Sequence, residues 1–167
     1  SGNFINPLDL DMSSDDELDP VTMKTDFVIS MFEIIIGQHQ NLGPAHKTIL
    51  ERCVRELYEP YINSISHRTD GLTFVAKECP TLLDLYTLLS KKAVDDKNMA
   101  ANDLAEYLGM YTAGSFNTFS RRTNVQTNSR FIVYDIKNLG TGMRELGLHI
   151  CLNDVWNRMI SNSKHNV

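Results

Sequence analysis

The chain has 167 residues, 42% of them hydrophobic and 22% charged, with a formal net charge of -5. That balance suits one soluble globular domain able to bury a core, and it disfavours a generally basic nucleic-acid surface while leaving a local patch open. No apolar run approaches the length of a membrane span, and no signal peptide or initiating Met is present.

Cys53, Cys79 and Cys151 are odd in number, widely separated and outside any CxxC. Neither a disulfide framework nor a zinc ribbon is indicated, and a reducing cytoplasm is the simplest setting. Residues 1–19 read as an extended lead-in. Asn3 to Asn6 is a candidate short strand, which Pro7 confines to an edge or end. The acidic stretch from Asp9 to Asp19 lacks the glycine that a calcium-binding loop places after its third ligand, so it reads as a solvated loop.

Asp19-Pro20 opens the first helix, with Asp as cap and Pro at the first helical position. Phe27, Val28, Met31, Ile34 and Ile35 recur at three- and four-residue steps along it, and Gly37 ends it. A second helix begins at Pro44 and carries Ile49, Leu50, Cys53, Val54, Leu57 and Tyr58 on one face. Pro60 is expected to stop it, with loop signals at Asn63-Ser64 and from His67 to Gly71, and a candidate strand from Leu72 to Val75.

Thr81 with Asp84 is an acidic version of the capping box and predicts a third helix over 82–92. The charged, small-residue interval from Lys91 to Asn98 leads to a fourth helix bearing Met99, Leu104, Leu108 and Tyr111 and closing at Gly114. Together the four read as a helical subdomain over 20–114, their apolar stripes being core and not a cofactor pocket. A polar connector over 115–128 follows.

FIVYDI at 131–136 is a short, almost continuous apolar run, the pattern of a strand covered on both faces. After a turn at Lys137 to Gly140, a last helix from about 142 is expected to turn Leu148, Leu152, Val155, Met159 and Ile160 toward a core, with Trp156 beside them. The fold class is therefore mainly α, with one strand–helix unit over 129–167. Such a unit is half of a right-handed crossover and needs a following parallel strand, which the chain does not supply.

GSFNTFSRRTNV at 114–125, FIVYDIKNLG at 131–140 and VWNRM at 155–159 resemble the ATPases of conjugation and type IV secretion, the TrbE/CagE-like group. The opening SGNFINPLDL and PTLLDLY at 80–86 look like further stretches of the same proteins, in the same order. The resemblance implies a RecA-like α/β P-loop ATPase core, of which this chain is an internal piece between the Walker A and Walker B motifs. It implies ATP and magnesium as cofactors of the whole protein, and subunits of a homo-oligomer, hexameric in expectation, as partners. It also implies secretion-channel proteins or a DNA-transfer complex as partners, and a peripheral cytoplasmic place at the inner face of the cell membrane without insertion.

Chemistry in the chain itself is sparse. Gly109 and Gly114, and again Gly142 and Gly147, have the glycine spacing of a phosphate loop, but Ser115 and Leu148 stand where Lys is required. Gly140-Thr141-Gly142 meets Glu145 where a dinucleotide fingerprint needs its third Gly. No apolar strand ending in Asp-Glu occurs, so the fragment is expected to hold no catalytic apparatus, no cofactor and no metal. The five histidines form no HExxH or close ligand set.

Arg121 and Arg122 on the connector and Arg130 before the strand are the one group above background. On the resemblance, Arg122 in RTNV is a candidate finger or phosphate sensor acting across a subunit boundary, with Arg121 and Arg130 as lesser candidates. A local salt bridge or a helix-terminus contact is the favoured reading from residue type alone. Phe116 and Phe119 fit clamps on the connector better than base-stacking platforms.

Two functions are compatible with these features. One is a non-catalytic region of a secretion ATPase, making subunit contacts and coupling hydrolysis to transport. The other is a stand-alone helical protein-interaction module. A DNA-binding helical domain is disfavoured by the acidic balance, and an orphan sheet edge near 130–136 is a candidate for pairing with a second copy.

Overall fold

Side-chain oxygens and prolines set where the helices begin. The Asp19 carboxylate accepts from the Thr22 backbone N–H at 3.2 Å and from its hydroxyl at 3.1 Å, ahead of Pro20. At the second start, the ring Nδ1 of His46 accepts from the Gly43 N–H at 3.2 Å, folding the preceding loop onto the helix. The predicted Thr81–Asp84 capping box is present, with Asp84 Oδ2 accepting from the Thr81 N–H at 2.8 Å and Thr81 Oγ1 from the Asp84 N–H at 3.4 Å. Asn98 Oδ1 accepts from the Ala101 N–H at 2.9 Å and opens the fourth helix.

A computed structural model of the chain describes residues 5–10, 19–36, 41–66, 79–112 and 141–165. Within them lie α1 (Pro20–Ile36), α2 (Pro44–Ser66), α3 (Leu82–Asp95), α4 (Met99–Thr112) and α5 (Thr141–His165). No strand occurs among the described residues. The anticipated strands at 72–75 and 131–136, the connector over 115–128, and the opening residues 1–4 lie outside them.

One core joins the helices. Val28, Met31 and Phe32 of α1, Leu50, Cys53 and Tyr58 of α2, Leu85 and Leu89 of α3, and Leu104 and Leu108 of α4 have essentially no exposed surface. The helices α1 and α2 pair, α3 and α4 form a hairpin, and the two pairs pack on each other, while α5 lies on α1. Burial of this kind stabilises by roughly 1.5–3 kcal/mol per large apolar side chain.

The α3–α4 hairpin is tight. Asp96 and Asn98 donate their N–H groups to the Lys92 carbonyl at 3.2 and 3.4 Å, and Lys97 between them sits at φ 50°. Gly109 lies beneath Tyr86 of α3: a Cβ there would stand 3.2 Å from the ring. The glycine whose spacing resembles a phosphate loop is thus a packing glycine.

The described lead-in is a pinned turn. The Asn6 side chain donates to the Pro80 carbonyl at 2.8 Å and to Asp9 at 3.1 Å, and it accepts from the Leu8 N–H at 3.1 Å. Leu8 and Leu10 are buried, Lys24 Nζ donates to the Pro7 carbonyl at 3.0 Å, and the Tyr58 hydroxyl donates to the Leu8 carbonyl. Ile5 and Asn6 are therefore not strand residues. The Asn6 side chain satisfies the local backbone in place of a ladder, and Pro7 has no N–H to give one.

Three further expectations are corrected. Pro60 does not stop α2, which runs on through Asn63 and Ser64 to Ser66. Pro60 faces solvent while Tyr61 beyond it is 6% exposed, so packing of the next turn holds a helix that proline weakens. Met99 opens α4 at 82% exposure and is no part of the core. The third correction concerns α5.

Candidate interaction surface

The α5 sequence has apolar residues on two faces, and only one is covered. Leu146, Ile150 and Cys151 are buried, and the His149 ring stacks on Phe27 of α1 with centroids 5.0 Å apart and planes within 8°. The face expected to point inward points out. Leu148, Leu152, Val155, Trp156 and Met159 are 49, 59, 38, 61 and 60% exposed. The periodicity was sound but its phase was not fixed: Leu146 to Ile150 is a second four-residue step, and α1 takes that one. Its sequence signal was present in the Leu146, Ile150 and Cys151 spacing, yet it is shorter and weaker than the stripe that stays open.

The open stripe recurs at offsets of 4, 7, 8 and 11 from Leu148. That is the broad face of a helix that covers a core, wider than the narrow seam of a two-helix coil. An apolar face of this kind left open marks a place where something else packs.

Other surfaces offer less. An open groove of about 950 Å³ runs along α2 and is lined by Asp19, Glu56, Glu59 and Asp96 together with Arg52, Arg55 and Lys92. Part of that charge is paired within the groove, as Lys92 with Glu56 at 3.1 Å and Arg55 with Asp19 at 3.8 Å. Four carboxylates against three cations do not suit a polyphosphate, so the groove does not fit a nucleotide. Among the described residues no group of three His, Cys, Asp or Glu is placed to hold a metal. His46 is engaged by Gly43 and by Asp103 at 3.3 Å.

All three cysteines are buried and none is in a disulfide. Burial pushes the Cys53 and Cys151 thiols up to about 11, with Glu56 and Asp154 respectively adding to the effect, and it raises Cys79 as well. Thiols held neutral in this way are poor nucleophiles and poor metal ligands. No described helix is long and apolar enough to cross a membrane. Arg121, Arg122 and Arg130 lie outside the described residues.

Comparison of the whole fold is decisive for its class. VirB4 of Thermoanaerobacter pseudethanolicus superposes with a TM-score of 0.71 at 21% identity, over 92% of this chain and 57% of that one. The chain has the fold of part of VirB4. It spans little more than half the length of that solved chain. No protein-family model matches the sequence, and no curated protein matches it.

Proposed function

We propose that the chain is a non-catalytic region of an ATPase that powers type IV secretion or conjugative DNA transfer. It supports contacts between parts of the motor and couples hydrolysis to transport. The observation that carries this reading is the VirB4 fold extending over 92% of the chain. The ordered sequence blocks that resemble conjugation and secretion ATPases point the same way.

On this reading ATP and magnesium are bound elsewhere in a longer protein, whose phosphate loop precedes this region and whose Walker B strand follows it. The helices over 20–114 form an insertion subdomain, and α5 belongs to a strand–helix unit of the RecA-like core. The open stripe of α5 is then the face that the rest of that core covers. The motor works as a cytoplasmic oligomer at the inner face of the membrane, and Arg122 reaches the phosphates of a neighbouring subunit.

The test is made in the longer protein. Leu152→Glu and Trp156→Glu are each expected to reduce assembly and ATP turnover, and Arg122→Ala to reduce turnover at normal assembly. Full assembly and turnover in both stripe variants would remove α5 from the motor core. A gene encoding these residues alone would instead favour a stand-alone interaction module, for which the same α5 face is the docking surface.

A further inference from the structure

Three side chains connect the two ends of the described chain across α1. Lys24 Nζ donates to the Pro7 carbonyl of the lead-in at 3.0 Å and stands 4.9 Å from the centroid of the Phe27 ring. Phe27 in turn stacks on His149 of α5, centroids 5.0 Å apart and planes nearly parallel. Lys24 is 6% and Phe27 8% exposed, so both are enclosed by the helices around them.

The two ends differ in how they are held. At the lead-in, Asn6 is tied to the Pro80 carbonyl and the Leu8 N–H, and Tyr58 to the Leu8 carbonyl, so a shift of this segment must move the acceptor of Lys24. At α5, the Nε2 of His149 is buried without a hydrogen-bond partner. No directional bond at that atom fixes the ring, and its register on Phe27 is set by stacking and packing. α1 is also the described helix on which α5 chiefly packs.

We infer that Lys24, Phe27 and His149 form a coupling element through which the position of the lead-in at residues 5–10 and the docking of α5 on α1 depend on each other. Withdrawing the Pro7 carbonyl removes one of the contacts that hold the Lys24 ammonium beside the Phe27 ring. The packing of the ammonium on the ring is then disturbed, and with it the surface on which His149 stacks. Coupling of this kind is reciprocal, because each end biases the same intermediate side chains. The inference concerns this chain alone and does not depend on the secretion reading.

Backbone-amide hydrogen exchange on the whole chain tests it. Asn6→Ala removes the Asn6 bonds to Pro80 and Leu8 and so loosens the lead-in, and Lys24→Met removes the ammonium while keeping the stem. Both are expected to speed exchange of the α5 amides at 146–151 by roughly 3- to 30-fold, with α4 unchanged. Reciprocally, His149→Ala should speed exchange of the Leu10 amide, and the Lys24→Met/His149→Ala double variant should exceed neither single variant at α5. Unchanged α5 exchange in Asn6→Ala and Lys24→Met overturns the inference. So does acceleration of α4 by the same factor, which is global loosening, or full additivity in the double variant.

Discussion

Tyr58 shows how much a single side chain does here. It is wholly buried on α2, and its hydroxyl satisfies the Leu8 carbonyl, 50 residues earlier in the chain. Tyr58→Phe keeps the ring and leaves that carbonyl without its donor, so a loss of about 1–3 kcal/mol is expected in urea unfolding. The thiols respond to pH. Burial pushes the folded Cys53 and Cys151 thiols up to about 11 from the ordinary 9.0, so their contribution is full below pH 9 and lost as pH rises through 11. Two such shifts amount to a few kcal/mol on the order-of-magnitude scale. Melting temperature should therefore fall steeply between pH 9 and 11, and Cys53→Ala should flatten part of that fall. Burial raises Tyr58 well above 10, which acts in the same direction.

Among the elements, α2 and the α3–α4 hairpin each tolerate a local violation. Proline inside a helix costs about 3 kcal/mol relative to alanine, through its missing N–H and its clash with the carbonyl four residues back. Since Pro60 is exposed within a continuous helix, Pro60→Ala is expected to stabilise by about 1–3 kcal/mol in the same unfolding assay. Lys97 at φ 50° carries left-handed strain that glycine does not, partly offset by glycine's freer unfolded state. Lys97→Gly should therefore gain up to about 1 kcal/mol. Gly109 is the opposite case: a large side chain there meets Tyr86 and would push α3 from α4.

At the scale of the molecule, the exposed stripe of α5 gives a contrast that separates folding from function. In this chain alone, Trp156 is 61% exposed, and the effect of Trp156→Glu on stability should stay within about 0.5 kcal/mol. In a longer protein whose remaining core covers that face, the same change is expected to lower assembly. Equal insensitivity in both would leave the face without a role.

Helix positions were legible because their causes are local. Asp19-Pro20, Pro44, and Thr81 with Asp84 announce helix starts by chemistry that acts within a few residues. The inward face of α2 followed from spacing alone. Legibility ended where a choice depended on distant partners. Pro60 reads as a stop until the burial of Tyr61 outweighs it. The α5 sequence offers two apolar faces, and only the location of Phe27 decides which one is covered. Nothing in the sequence near Lys24 or His149 announces that Phe27 stands between them. By itself the sequence determined a mainly helical chain, its helix starts and part of its core, since capping and periodicity are short-range. The tertiary structure alone decided which face of α5 stays open and which residues link it to the lead-in, because those outcomes are set by the shape of other helices.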